Sequence, residues 1–386
     1  VSLTVRPLST AEHLAFIRSR SSVSFLQTPA WARVKTEWRS ESLGLFDGGE
    51  LVGATLVLHR PVPRLKRFTL AYLPEGPAAD WSGDLSTWLE PLTAYLKKGG
   101  AFGVRMGPPT ATATWSADQV KQGIADDSVR RLTDLAPTRR SELGARVVSQ
   151  LRQAGWRLQS PEDGFGTGQP QYTFEIPLRG RTEADVLAGM NQLWRRNIKK
   201  ADKEGVEVSV VTPGHDGFEP ALAAFHELYV HTAERDHFTP RPLRYFATMF
   251  TAMDAEDPGQ RIKLFLARHE GDLVAATILV RVGTHAWYSY GASSTAKREV
   301  RGSNALQWAM IRDAIANGCD VYDLRGITPT LSSDDSHVGL IQFKVGTGGR
   351  AVEYAGEWDL PLRPAIYKAF DIYMRRRSGA AAGGTK

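Results

Sequence analysis

The stretches Gly48-Gly-Glu-Leu-Val-Gly-Ala-Thr-Leu-Val57 and Glu270-Gly-Asp-Leu-Val-Ala-Ala-Thr-Ile-Leu279 decide how this chain is organised, because they are near copies offset by 222 residues. Each follows a strand-like run, LGLFD before the first and KLFLARH before the second, and each returns as a β-branched run. Short apolar runs separated by residues that tolerate positive φ are the mark of a β-hairpin. What comes next also matches. FTLAYL, a helix through 85–98, Gly99-Gly100 and the strand AFGVRMG succeed the first hairpin. HAWYSYGA, a helix through 304–317, Gly318 and the strand CDVYDLRG succeed the second. In this second helix Leu306, Met310, Ile311 and Ile315 recur at helical spacing, and Gly318 stands where a left-handed cap would end it. A glycine-turn hairpin can recur by chance; the order hairpin, strand, helix, strand occurring twice argues for two copies of one α/β module.

Between the copies, a helix at 141–154 with Leu143, Val147 and Leu151 on one stripe leads into SPEDGFGTGQP, whose glycines and prolines mark a domain boundary. The strand QYTFEIPL opens the second module, and helices are expected at 183–203 and 220–233. The segment GEWDLPLRPAIYKAFDIYMRRR reads as a strand and a helix that return to the first module. The expected division is therefore 1–165 completed by 355–386, and 166–354. The last nine residues, SGAAAGGTK, read as a frayed tail.

With 386 residues, 42% hydrophobic and 23% charged, the chain has the composition of two or three globular domains that need neither metal nor disulfide to build a core. One cysteine, Cys319, excludes an intramolecular disulfide and fits a reducing compartment. Neither a signal peptide nor an uninterrupted apolar run of spanning length is visible, which points to the cytoplasm, including its membrane face. The 48 basic against 42 acidic residues leave a net charge of +6, suited to an anionic partner such as RNA, a nucleotide or an anionic membrane.

No HExxH, cysteine cluster, GxSxG elbow or P-loop occurs, so zinc, serine-hydrolase and P-loop chemistry are disfavoured. Cys319 opens a buried strand and is read as structural. In MNQLWRRNIKKADKEG, the residues Arg195, Lys199 and Lys203 share one helical face, as do Arg196 and Lys200. This is either a solvated face or a track for a phosphate backbone. Trp194 beside it is read as core. In GLIQFKVGTGG, Lys344 is a lone cation in an apolar run before a glycine-rich turn. It either snorkels to the surface or faces a site where charge develops on an oxygen. KREVRGSNA, before the second helix, only half resembles an acyl-CoA phosphate turn: Arg298 and Gly302 are present, the second glycine is missing.

FLQTPAWARVK, AYLPEGPAAD, RRNIKKADKEGVEV, ERDHF, GLIQFKVGTGG and EYAGEWDLPL together, in order and over nearly the whole chain, resemble the Fem (FemABX) peptidyltransferases. The resemblance implies two tandem acetyltransferase-like (GNAT) domains of the α/β (α+β) class. With no heptad excursion between 220–233 and ERDHFTPRP, it is FemX-like, lacking a coiled-coil arm.

The implied activity is transfer of an amino acid, expected to be glycine with alanine or serine as alternatives, from aminoacyl-tRNA to the side-chain amine at position three of the peptidoglycan stem peptide. The acceptor would be lipid II or UDP-MurNAc-pentapeptide, the enzyme a monomer without metal or cofactor, in peripheral contact with the membrane at most. By the same resemblance Lys344, preceded by Phe343, matches the catalytic lysine, and Asp80 an acid that orients or deprotonates the amine. Lys35 and Arg235 match a grip on the precursor diphosphate, and Tyr290 a precursor contact. A second tyrosine found in some relatives shortly after the arginine is Thr239 here. Arg195, Arg196, Lys199 and Lys200 would face tRNA. The alternatives are an acyl-CoA N-acyltransferase, a tRNA-dependent enzyme acting on an antibiotic scaffold, and a non-catalytic RNA- or membrane-binding protein.

Overall fold

Two hairpins open two mixed sheets. The computed structural model describes residues 3–62, 65–159, 168–332, 334–335 and 337–382. The strands are β1 (Thr4–Pro7), β2 (Arg39–Asp47), β3 (Glu50–Val62), β4 (Leu65–Leu73), β5 (Ala101–Met106), β6 (Ala111–Ser116), β7 (Arg139–Arg140) and β8 (Arg157–Gln159). They continue as β9 (Tyr172–Pro177), β10 (Glu207–Val211), β11 (Ile262–His269), β12 (Asp272–Val282), β13 (His285–Ser293), β14 (Val321–Gly326), β15 (Arg350–Tyr354) and β16 (Glu357–Pro361). One sheet has the order β1-β2-β3-β4-β5-β16-β8, the other β10-β11-β12-β13-β14-β9-β15-β6-β7.

The repeat seen in the sequence is a repeat of structure. β2–β3 turns at Asp47↔Glu50 with Gly48 at φ +58, and β11–β12 turns at His269↔Asp272 with Glu270 and Gly271 at +52 and +85. The parallel pairs β4–β5 and β13–β14 are each joined by a helix, Ser86–Lys98 and Gly302–Ala316. Here the copies diverge. β4 and β5 stay paired as far as Leu73↔Met106, whereas β13 and β14 part after Trp287↔Asp323. Only the second module therefore opens a cleft between its central strands, and β13 carries a bulge there.

A core shared by both halves fixes their relation. Phe25, Trp31, Leu56 and Leu58 from the first pack with Phe225, Phe246, Ile278 and Trp287 from the second. Burying such side chains stabilises the fold by about 1.5–3 kcal/mol each. The short helix Pro29–Val34 is also fastened across the seam, Ala30 N donating to Glu256 Oε1 at 2.6 Å and Arg33 to the Ala252 carbonyl at 2.7 Å.

Several expectations are corrected. The helix expected at 183–203 is two, Glu183–Gly189 and Gln192–Lys203, because Asn191 caps the second by accepting from Trp194 N at 2.8 Å. Phe218–Asp236 outruns the expected 220–233, and a further helix, Leu243–Asp254, precedes the second hairpin. β6 and β7 belong to the second sheet although they lie within 1–165; β6 finds its partner in β15, at Trp115↔Ala351. The residue boundary at 165/166 touches a stretch outside the described residues. β16 pairs with β5 and β8 in the first sheet, and the helix after it, Pro364–Ala382, continues past the point where the tail was expected to fray. Cys319 is buried, its thiol pushed up to about 11 by that burial.

Candidate functional site

The end of β14 is irregular. Its register with β9 shifts between Asp323 and Gly326, and Arg325 takes a left-handed conformation at φ +61. A non-glycine residue there costs about 1–2 kcal/mol. Two interactions hold it: Asp323 Oδ1 accepts from Arg325 N at 2.5 Å, and Lys344 Nζ donates to the carbonyls of Gly326 at 2.6 Å and Arg325 at 3.3 Å. Lys344 lies on the helix Val338–Val345 and is only 3% exposed. Burial depresses its pKa to about 7, with the Asp323 carboxylate opposing and the Arg325 guanidinium reinforcing the shift. Of the two sequence alternatives, snorkelling is thus excluded.

The glycine-rich turn after Lys344 has a packing reason. A Cβ on Gly346 would collide with the Trp194 ring, and Gly348 needs φ +75 beside the Gly189 backbone. Trp194 is buried as expected; it donates to the Phe343 carbonyl at 2.8 Å and its ring lies 4.8 Å from that of Phe343. The helix carrying Lys344 therefore rests on the basic helix Gln192–Lys203. On that helix Arg196 and Lys199 are exposed and Lys200 is half-buried, while Arg195 turns back to the carbonyls of Ala188 and Met190.

Between the two halves lies a cavity of about 610 Å³. Four carboxylates line it, Glu75, Asp80 and, from β16 of the first sheet, Glu357 on one side and Asp323 of the second sheet on the other. Arg20 and Arg325 are the arginines among the lining residues. Asp80 accepts from the Ser82 hydroxyl at 2.6 Å and the Ser82 amide at 2.8 Å, which hold its carboxyl below the usual range. Glu357 is pushed the other way by burial and accepts from Tyr72 at 2.6 Å. Lys344 does not line the cavity; it grips the carbonyl of Arg325, which does.

Arg325 ties the cavity walls together. It donates to Glu75 at 2.9 Å and to Gln169 at 3.1 Å; Ser24 donates to Glu75 at 2.5 Å and Gln169 to Tyr72 at 3.2 Å. Its guanidinium also lies 5.7 Å from the centre of the Phe25 ring. Sequence reading passed over Arg325, Glu75 and Asp323. The available signal was three charges, Asp320, Asp323 and Arg325, in the otherwise largely apolar strand CDVYDLRG.

The remaining expected residues form a second cluster at the same seam. Lys35 ends the short helix Pro29–Val34, pairs with Glu37 at 2.8 Å and stands 5.6 Å over the Trp38 ring. Arg235, near the end of Phe218–Asp236, makes a two-pronged pair with Asp236 at 2.7 and 2.9 Å and donates to the Ser293 carbonyl at 2.8 Å. Tyr290, on the β13 bulge at φ +48, meets the Tyr245 hydroxyl at 2.9 Å. Arg241 lies 5.3 Å over the Tyr245 ring; burial raises the pKa of Glu37, but the hydrogen bond it accepts from Lys35 and, in smaller part, the Arg241 charge help to bring it below the usual range, so Arg241 links the Lys35 and Tyr290 ends. Tyr245 thus sets a second phenol beside Tyr290. Arg241 and Tyr245 were not anticipated. Glu75, Tyr290 and Arg325 are three of the seven non-glycine residues at positive φ among the described residues, a concentration of backbone strain at one seam.

A doubled module with one opened sheet, and a seam that carries carboxylates on one side and paired cations and tyrosines on the other, defines a two-module mixed α/β protein. The FemAB family profile matches residues 8–268 and 256–375, and the chain belongs to that family. It is 23% identical over 422 residues to the lipid II:glycine glycyltransferase of Staphylococcus epidermidis, covering 93% of each chain. The Staphylococcus aureus protein of that name is 23% identical over 442 residues, with 97% of this chain and 96% of the other covered. A crystal structure of FemX superimposes with a TM-score of 0.76 at 21% identity, covering 95% of this chain and 99% of that one.

Proposed function

We propose that this protein transfers glycine from glycyl-tRNA to the side-chain amine at position three of the peptidoglycan stem peptide, with lipid II as acceptor. The observation that carries this reading is the end-to-end similarity to proteins named for a glycyl donor and a lipid II acceptor. The site supplies matching chemistry. An acceptor amine arrives as an ammonium, and four carboxylates around one cavity attract it. Asp80, held deprotonated by Ser82, suits the role of counter-ion better than that of base, since a depressed pKa makes a weak proton acceptor.

In the reaction the ammonium first gives up a proton to water, and the free amine nitrogen then bonds to the ester carbonyl carbon; the second proton that nitrogen sheds balances the one the ribose oxygen takes up on leaving. The bond from that carbon to the ribose oxygen then breaks, and the oxygen leaves with a proton. The ester is already activated, so positioning and charge stabilisation suffice. An ammonium has three donors. Two of Lys344's are accounted for by Arg325 and Gly326; the third would meet the oxyanion if the ester seats against the Arg325–Gly326 turn, beside the cavity rather than inside it, and there a pKa of about 7 suits delivery of a proton to the leaving oxygen. Lys35 and Arg235 would exchange Glu37 and Asp236 for diphosphate oxygens. Arg196, Lys199 and Lys200 would meet the tRNA backbone beside the Lys344 helix. A lipid-linked acceptor puts the enzyme at the cytoplasmic membrane face.

The test is transfer of labelled glycine from charged tRNA to lipid II, with UDP-MurNAc-pentapeptide and other charged tRNAs in parallel. Incorporation at the third stem residue from glycyl-tRNA is expected. Acyl-CoA serving as donor with no dependence on RNA would sink the reading.

A further inference from the structure

The connection His237–Pro242 and the first two residues of the helix Leu243–Asp254 together form the stretch HFTPRPLR, whose composition and exposure the transfer chemistry does not use. Apart from half-buried Pro240, every residue in it is exposed. Phe238 and Leu243 are 40% and 38% exposed, large apolar side chains in water at a place where a connecting segment is normally polar. Arg241 and Arg244 flank Leu243, and the stretch contains no acid. The adjoining acid on one side, Asp236, is paired with Arg235; across the seam, Glu37 is paired with Lys35.

The segment is also held in shape. His237 takes a left-handed cap at φ +56, Phe238 N donates to the Ala233 carbonyl at 3.1 Å, and His226 Nε2 lies 3.0 Å from the Arg241 carbonyl. Tyr245 N donates to the Pro242 carbonyl at 2.9 Å, and two prolines stiffen the turn between them. Phe238 packs against Tyr229 at 5.4 Å and Arg241 against Tyr245 at 5.3 Å, so the segment adjoins Arg235, Tyr245 and Tyr290.

We propose that His237–Arg244 is a docking loop for an anionic lipid bilayer, with Phe238 and Leu243 entering the headgroup layer and Arg241 and Arg244 facing lipid phosphates. Apolar anchors beside basic side chains bind such a surface through buried area and charge attraction together. This rests on the reading above, and deepens it. A lipid-linked diphosphate lies at the headgroup level, so residues that grip it must sit beside a face of the protein that tolerates that level. The loop adjoining Arg235 is such a face.

The full chain is tested by co-sedimentation with vesicles of equal parts phosphatidylglycerol and phosphatidylcholine, and with pure phosphatidylcholine vesicles. Binding to the anionic vesicles, weakened by salt, is expected, with at least about a tenfold loss in the double variant Phe238→Ser/Leu243→Ser. Arg244→Gln, remote from the shared core, should also weaken binding, and it keeps the test decisive if the double variant does not fold. Transfer to soluble UDP-MurNAc-pentapeptide should be unchanged by these substitutions, while transfer to lipid II in vesicles falls. Wild-type protein that ignores anionic vesicles, or variants that bind them equally well, would overturn the proposal. So would variants that lose affinity for tRNA while keeping it for vesicles, which would make the loop an RNA surface. Vesicle binding is read without turnover: a chain that docks but transfers no glycine refutes the activity and leaves the loop standing.

Discussion

The Lys344 ammonium donates to the Gly326 carbonyl at 2.6 Å, joining the helix Val338–Val345 to the end of β14 where the second sheet opens. A buried cation is thus bonded to the backbone of Arg325, a residue that lines the cavity. It satisfies two carbonyls that the break in the ladder would otherwise strand.

Replacing it tests chemistry and structure separately. Lys344→Met should lower transfer by about a hundredfold or more, with the far-ultraviolet circular dichroism unchanged. Lys344→Arg keeps the charge at every accessible pH. In the wild type, activity should decline as pH rises through about 7 and the ammonium is lost; that limb should vanish in Lys344→Arg. The stability sign follows from linkage. Folding lowers this pKa from 10.5 to about 7, so between those values the unfolded chain binds the extra proton. Wild-type stability therefore gains on that of Lys344→Met as pH rises across that window, and denaturant titrations at pH 7 and 10 should show it. A constant difference between the two proteins would contradict the buried ammonium.

Arg325 can be dissected by two substitutions. Arg325→Ala leaves Glu75 without its guanidinium across the seam and should cost about 2–3 kcal/mol, the pair being only partly exposed. Arg325→Gly loses the same pair but relieves the φ of +61, so it should be more stable than the alanine variant by about 1 kcal/mol. Equal melting temperatures for the two would show that the backbone conformation carries no strain.

Asp80 is predicted to act through charge. Asp80→Asn should raise the KM for the acceptor more than it lowers kcat, by about tenfold. Ser82→Ala removes the hydroxyl that contributes most to the depressed pKa, so the acid limb of kcat/KM for the acceptor should move to higher pH. A large fall in kcat with unchanged KM would instead make Asp80 the base.

The sequence made the doubled module legible because hairpin turns and helix ends are local. Glycine at φ +58 and at +68, and a four-residue apolar stripe, leave their marks within a few positions of each other. The departure of β6 and β7 to the other sheet was invisible, since pairing such as Trp115↔Ala351 joins residues far apart in the chain. The site divided in the same way. Lys344 stood out as a charge in an apolar run, and the family resemblance pointed to Lys35, Arg235 and Tyr290. Glu75, Gln169 and Arg325 gain meaning only when three distant segments meet, and Tyr245 only because its helix brings it to Tyr290.

The basic helix separates two kinds of arginine. Arg196 and Lys199 point to solvent, whereas Arg195 caps carbonyls at the end of the preceding helix. If the exposed pair tracks an RNA backbone, Arg196→Gln and Lys199→Gln should each weaken tRNA binding across sequences and reduce the slope of log affinity against log salt by about 1. Arg195→Ala should leave that slope alone and lower the melting temperature, because the Ala188 and Met190 carbonyls lose their donor. Filter binding of uncharged tRNA between low and moderate salt reads both effects. An unchanged slope in the Arg196→Gln/Lys199→Gln double variant would return this helix to the reading of a merely solvated face, and the tRNA would have to approach the Lys344 helix from another side.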